Sequence, residues 1–430
     1  MSLTQSGNYD PLPAMIPVRQ VFEALTVDDI EAEVRAELNQ QTVKQTIPAG
    51  ARVAVGVGSR GVANLKTITF AVISQLIEWG ARPFIVPAMG SHGGGTGQGQ
   101  IKVLAEFGIT EESMGVRIVS TMDVVQIGAL SDGTPVYLDK EAQQADAIVF
   151  INRIKPHTSF KGDYESGLLK MMAIGLGRHQ GALAVHQHPL ADMPVVLPKI
   201  AEVYFKRAPI AFGLAILENA YDRTARIVAV PGDEMIAAEK ELLIQAKQFM
   251  PRIIPKTIDL LLVNEMGKNI SGSGMDPNIT GRAASKAPQK FDAPEIERLV
   301  VLGLTPETKG NACGIGVADV TTRRVFEQIN LDYTYANVLT SKVLDSAKIP
   351  VIMQNDAEAI NAALTTCYSI GRSAPRVVWV KNTLELEYIL VSQSVLSELG
   401  GDPRIEVLGD PIRVEFDADR NITTNIWKGR

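Results

Sequence analysis

All five histidines of this 430-residue chain, His92, His157, His179, His186 and His188, fall in its first half, and the second half has none. Imidazole is the side chain whose proton moves near neutral pH and a common neutral metal ligand, so this clustering predicts acid-base work or metal binding there. Two of them follow stretches that read as buried strands. His92 stands in Gly90-Ser91-His92-Gly93-Gly94-Gly95 after Pro83 to Met89, and His157 ends Arg153-Ile154-Lys155-Pro156-His157 after Asp146 to Ile151. A third strand, Arg52 to Val57, runs into Gly58-Ser59-Arg60-Gly61. Ligands of open α/β sheets bind beyond the carboxyl ends of the strands, so these three turns form the candidate site. His186-Gln187-His188 lacks the spacing of four that puts two ligands on one helix face, and at most one of the two is expected to bind metal.

Those turns need a scaffold, and the chain alternates strand and helix patterns. Leu65 to Trp79 carries helical apolar spacing stopped by Gly80, Gln98 to Phe107 gives a second helix, and Val116 to Val119 reads as a short strand. A helix over Pro231 to Gln248 is broken by Pro251 and Pro255 before a new series: strands at Thr257 to Glu265, Leu299 to Leu304, Pro350 to Gln354 and Val377 to Lys381, with a helix at Asp356 to Thr366. The expected fold class is α/β, as two α/β domains with mostly parallel sheets and a cleft between them, residues 1–255 binding a cofactor and residues 256–430 closing the cleft. A chain this long exceeds what one core usually organises.

Composition narrows the partners. The net charge of -6 gives no general attraction to nucleic acid or an anionic membrane, and no apolar run reaches the length of a spanning helix. The polar start MSLTQSGNYDPLP does not read as a secretory signal, so a cytoplasmic location is expected. Two cysteines, Cys313 and Cys367, exclude a disulfide framework and a four-thiolate cluster. The pattern Gly56-x-Gly58-x-x-Gly61 raises a dinucleotide site, but Pro87-Ala88-Met89-Gly90 stands where an acidic residue would hold the ribose. A small-molecule partner is expected.

The same residues resemble the lactate racemase family, whose members hold a nickel-pincer nucleotide on one lysine. Ser59-Arg60 is similar to the family's Thr-Arg turn, Gly90-Ser91-His92 to its Gly-Thr-His segment, and Ile154-Lys155-Pro156-His157 to its Pro-His segment. Lys170 falls where the cofactor-linked lysine is expected, and His186 follows it by sixteen residues, as the family's nickel-binding histidine does. The resemblance implies a racemase or epimerase acting on the carbon beside the carboxylate of a 2-hydroxy acid or sugar acid. The cofactor it implies is nickel pyridinium-3-thioamide-5-thiocarboxylic acid mononucleotide, supplied by cofactor-biosynthesis proteins. In these roles His92 and His157 are paired bases, Arg60 is the carboxylate clamp, Ser59 meets the cofactor, Lys170 anchors it and His186 binds the metal.

Two departures accompany the resemblance. Val57 replaces an aspartate that the family often has three residues before the clamp arginine, and the segment from Ser159 to Gly167 is longer and more polar than the family's glycine-rich stretch. Lys161 is the candidate for the cofactor phosphate, and Asp163, Tyr164 and Glu165 predict a substrate larger or more polar than lactate. In the second half Lys268, in the loop Gly267 to Pro277, is a candidate substrate ligand. Two other functions fit the bare pattern: a nicotinamide-dependent hydroxy-acid oxidoreductase, and a non-catalytic protein that binds a hydroxy acid or the cofactor.

Overall fold

A computed structural model describes residues 12–59, 61–285, 290–368 and 374–427. The chain is mixed α/β and divides into two compact units, one of residues 23–250 and one of residues 1–22 with 251–430. The first unit ends at residue 250, beside the expected boundary at 255, and residues 1–22 group with the second. The strand Met15–Gln20 belongs to the second unit, where it pairs antiparallel with Tyr388–Ser392 and Ile405–Val407. Its alternating apolar residues need a neighbour to bury them, and the neighbour lies more than three hundred residues along the chain.

The first unit is built on a five-stranded sheet in the order Arg82–Pro87, Arg52–Val57, Ala147–Arg153, Ile210–Glu218, Thr224–Pro231. The first four strands are parallel, and the last is a hairpin return. Both faces are covered, which is why the central strands read as unbroken apolar runs. Phe150, Leu176, Leu197 and Tyr204 pack into one core layer, and Val55, Ile68, Val72 and Phe212 into the other. The helix Leu65–Glu78 ends where Gly80 turns the chain at φ +79. Val116 to Val119, expected as a strand, makes one parallel bridge at Ile118 beside Ile85 and goes no further. A two-stranded ribbon, Val124–Ala129 with Pro135–Asp139, follows it.

The chain leaves Arg52–Val57 by a helix toward Arg82–Pro87 on one side and returns to Ala147–Arg153 on the other. The carboxyl ends of the two inner strands therefore form a topological switch point, where diverging connections leave a crevice. Ser59 follows one of these strands and His157 the other.

The second unit carries an eight-stranded sheet in the order Val351–Met353, Val320–Thr322, Glu295–Val301, Thr257–Val263, Val377–Val380, Tyr388–Ser392, Met15–Gln20, Ile405–Val407. Its first five strands are parallel and the rest antiparallel. Trp379 is fully buried at its centre, with Trp427 edge-on at 5.3 Å. Among the described residues no helix is long and apolar enough to cross a membrane.

Phe150 is fully buried in the strand that carries His157. Truncation to alanine is expected to cost about 3–5 kcal/mol of unfolding free energy in urea titrations. A loss below about 1 kcal/mol would show that this layer does not hold the sheet together.

Candidate active site

Three strand ends bring the site together. Ser59 follows the strand between those that deliver His92 and His157, and neighbouring strands lie about 5 Å apart, so the two histidines leave the sheet on either side of the Ser59 turn. The Ser59 hydroxyl is hydrogen-bonded to His92 Nδ1. His92 is otherwise exposed, in a loop where Gly90, Gly93, Gly94 and Gly95 all take positive φ. At Gly93 a side chain would meet the Gly99 and Gln100 backbone at 2.6 Å, so the glycines serve the tight return of this loop onto the helix Gly97–Glu106. Arg60, the expected carboxylate clamp, lies outside the described residues.

The segment with Lys170 crosses these strand ends. A short helix, Leu168–Lys170, runs directly into a π-helical stretch, Met171–Leu176. The Met171 side chain comes within 3.1 Å of where a Gly58 Cβ would stand, and Gly175 passes 2.7 Å from the Ala88 carbonyl by the same measure. Gly56 and Gly58, which raised the dinucleotide reading, are small because Phe150 and Met171 occupy the space beside them. Lys170 is half-buried, and His186 is exposed at the end of the helix Arg178–Val185. His188 instead pairs with Thr134, 3.0 Å away.

His157 is presented by a loop closed at its neck, where Lys155 and Ser166 exchange backbone hydrogen bonds of 2.8 and 3.2 Å. Inside the loop sits the fully buried carboxylate of Glu165. It accepts from the His157 amide at 2.7 Å, the Gly162 amide at 3.3 Å, Lys161 at 3.2 Å and Lys247 at 2.7 Å. A carboxylate taken out of water needs this full set of donors. The polar residues expected to select a larger substrate are thus committed to the loop: Lys161 and Glu165 hold each other, and Asp163 pairs with Lys240 at 2.7 Å. Lys161 also donates to the His157 carbonyl at 3.0 Å.

The His157 ring stacks on Phe160 at 4.1 Å, and its Nδ1 accepts the Ser159 amide at 3.0 Å. Crowding by surrounding atoms, together with the charges of Lys170, Lys155, Lys161 and His186, holds its pKa well below the usual range. The ring is neutral at pH 7 even though the residue keeps some accessible surface. A neutral imidazole that accepts at Nδ1 carries its proton on Nε2. The same electrostatic coupling brings Lys170 and His186 into range of His157, which the sequence interval alone did not do.

Lys268 lies in the other compact unit, after the strand Thr257–Val263, where its ammonium donates to the Gly272 carbonyl and to Asn337. Sequence reading missed the supports behind the loops: Glu165 as a hub, the Arg178 side chain described below, and Glu239. Each is a buried charged residue whose partners lie elsewhere in the chain or in the folded loop, which local sequence pattern does not announce.

Glu239 accepts the Leu169 amide at 2.8 Å beneath the helix that ends in Lys170, and its carboxylate occupies the space that a Gly167 side chain would need. Burial raises its pKa from 4.5 to about 7, against the opposing pull of the Leu169 and Leu168 amides. A carboxyl whose folded pKa is raised contributes stability that is complete below about pH 4.5 and is lost as pH rises through 7. Glu239→Gln should therefore gain stability relative to the parent between pH 5 and pH 8, by up to about 3 kcal/mol in urea unfolding. Parallel stability profiles for the two proteins would refute the ionisation of a buried Glu239.

Residues 18–194 match the family model of the lactate racemase N-terminal domain, a span that holds the Ser59, His92, His157, Lys170 and His186 positions. The fold is similar to that of the lactate racemase apoprotein from Thermoanaerobacterium thermosaccharolyticum, with a TM-score of 0.54 at 14% identity over 87% of this chain and 99% of that one. No curated protein matches the chain. Residues 18–194 are thus similar to the lactate racemase N-terminal domain, and the chain shares the fold of a lactate racemase apoprotein.

Proposed function

We propose that this protein is an isomerase that inverts the hydroxyl-bearing carbon next to the carboxylate of a 2-hydroxy acid or sugar acid. The observation that carries this reading is the placement of His92 and His157 in the loops after the strands on either side of the Ser59 turn, with the stretch Met171–Leu176, directly after Lys170, packed across the same strand ends. A ligand held over that turn has one imidazole on each flank.

The residues present fit a nickel-pincer nucleotide. A metal held by protein alone takes three or four donors. A cofactor that brings most of its metal's ligands would need one imidazole from the protein, and His186, exposed at the end of the helix Arg178–Val185, could supply it. Lys170 would supply an amine for covalent attachment, and Lys155 and Lys161, both close enough to act on His157, would offer positive charge to a nucleotide phosphate, Lys161 sharing its ammonium with Glu165. Bound there, the cofactor would supply a hydride acceptor beside the reacting carbon, avoiding a carbanion next to an ionised carboxylate. Loading would fall to the proteins that build it.

The chain's own groups do the rest. Arg60 keeps the role that the resemblance gives it, the clamp on the substrate carboxylate, which suits the paired donors of a guanidinium. His92, with Nδ1 on the Ser59 hydroxyl, is aimed to take the hydroxyl proton at Nε2 when Nδ1 carries the hydrogen of that bond. His157 holds its proton at Nε2 and donates to the same substrate oxygen from the other flank. To act as a base there it must carry its proton on Nδ1 instead, in place of the bond from the Ser159 amide, which frees Nε2.

Loss of general-base help costs about 10²- to 10⁴-fold, so His92→Ala and His157→Ala should each abolish most turnover by the loaded enzyme, and in both directions. A deuterium on the reacting carbon should survive wild-type turnover, because it never enters solvent. Wash-out of that deuterium, or near wild-type rates in either variant, would point to another reaction. Protein produced alongside cofactor biosynthesis should also carry nickel and a mass adduct at Lys170. Peptide mapping of active, fully loaded protein with Lys170 unmodified would remove the anchor from this scheme.

A further inference from the structure

Arg178 is fully buried and sits at φ +54, a left-handed conformation in which a non-glycine residue is strained. Glycine would adopt it freely, and the chain already places glycine at 175 and 177. An arginine kept at such a position is held by what its side chain does. Its Nε donates to the buried Asp139 carboxylate at 2.7 Å, and its Nη1 donates to the Pro87 carbonyl and to Gln100 Oε1. Gln100, also fully buried, spends both amide hydrogens on the loop of His92, to the Gly90 carbonyl at 3.0 Å and the His92 carbonyl at 3.2 Å. The Gly90 amide donates in turn to the Gly175 carbonyl at 3.2 Å.

These contacts form a closed circuit. The segment carrying Lys170 and His186 grips the end of the strand Arg82–Pro87 through Arg178. The same guanidinium orients the Gln100 amide, which grips the loop around His92. Nothing else in the circuit is charged except Asp139, whose other oxygen caps the turn after Pro135–Asp139 by accepting from the Glu141 and Ala142 amides at 3.0 and 2.9 Å. We propose that Arg178, acting through Gln100, is a positioning residue that sets the place of His92 relative to the segment carrying Lys170 and His186. The proposal rests on the isomerase reading for its catalytic meaning, but the coupling itself is a property of the protein without cofactor.

The test is Gln100→Glu. This variant keeps the acceptor for Arg178 and removes both donors to the His92 loop. The readout is the ring-nitrogen chemical shifts of the five histidines in isotope-labelled protein, which needs no cofactor. His92 should lose the shift pattern of a ring bonded to Ser59, while His157, held by Ser159 and Phe160, stays unchanged. In loaded enzyme kcat should fall about 10²-fold, the usual cost of misplacing a catalytic group by about an ångström, with KM little altered. An unchanged His92 signal in a folded variant overturns the proposal, whatever the enzyme turns out to catalyse. Should the variant fail to fold, hydrogen exchange of the parent decides. Protection of the Gly90 and His92 amides to the level of the Arg82–Pro87 strand supports the coupling, and exchange as fast as at Gly94 overturns it.

Discussion

Parallel strands cannot be joined by a tight turn, so each pair is linked by a crossover, and the chain leaves Arg52–Val57 toward Arg82–Pro87 but leaves Ala147–Arg153 toward Ile210–Glu218, on opposite sides of the pair. The gap this leaves at their carboxyl ends is a consequence of chain direction, and the site is assembled from what borders it. Gly58 and Ser59 rise from one strand and the His157 loop from the other, while the neighbouring strand adds the His92 loop. The helical segment from Leu168 to Leu176 lies over the opening, and the small residues Gly58 and Gly175 let it lie close.

Loops at such a gap are short of secondary-structure partners, and this protein supplies them with buried charge. Glu165 stands in for the missing ladder in the His157 loop, and Arg178 with Gln100 does so for the His92 loop. Both devices carry the risk of buried ionic groups, since removing one partner strands the other at a cost of several kcal/mol. They also fix geometry in a way that apolar packing does not, because hydrogen bonds have direction. The polar segment from Ser159 to Gly167 closes on itself through Lys161 and Glu165 and is tied by Asp163 and Glu165 to Lys240 and Lys247.

The parts of this arrangement that depend on local pattern were legible in the sequence. The strand Arg52–Val57 falls where its apolar run predicts, and the helices Leu65–Glu78 and Gly97–Glu106 fall within one residue of theirs. The strand ends, and hence the turns at Ser59, His92 and His157, followed from that. What depends on distant partners was not legible. Arg178 meets residues 39 to 91 positions away, and the run MMAIGLG reads as an ordinary helix, with nothing local to announce its π-helical turn. The strand Met15–Gln20 was invisible for the same reason, because a short run after two prolines declares itself only once its partners are known. Polarity misled at Asp163 and Glu165, where charged residues between two site elements suggested ligand contacts and instead serve the loop.

That first strand has a consequence for how the chain is made. Arg19 pairs with Glu387, 368 residues later, across strands that lie side by side in the second unit's sheet. Domains emerging from a ribosome at roughly 5–20 residues per second generally fold as units, so residues 23–250 are complete long before Tyr388–Ser392 exists. Met15–Gln20 must then wait on the order of 20 to 70 s for its partners at that rate, tethered to a unit it does not belong to. During that interval a segment destined for the middle of a sheet has both of its hydrogen-bonding edges open to whatever else the cell offers. Its prolines at positions 13 and 17 and its arginine at 19 lie in the stretch that waits, and both residue types discourage pairing with the wrong strand.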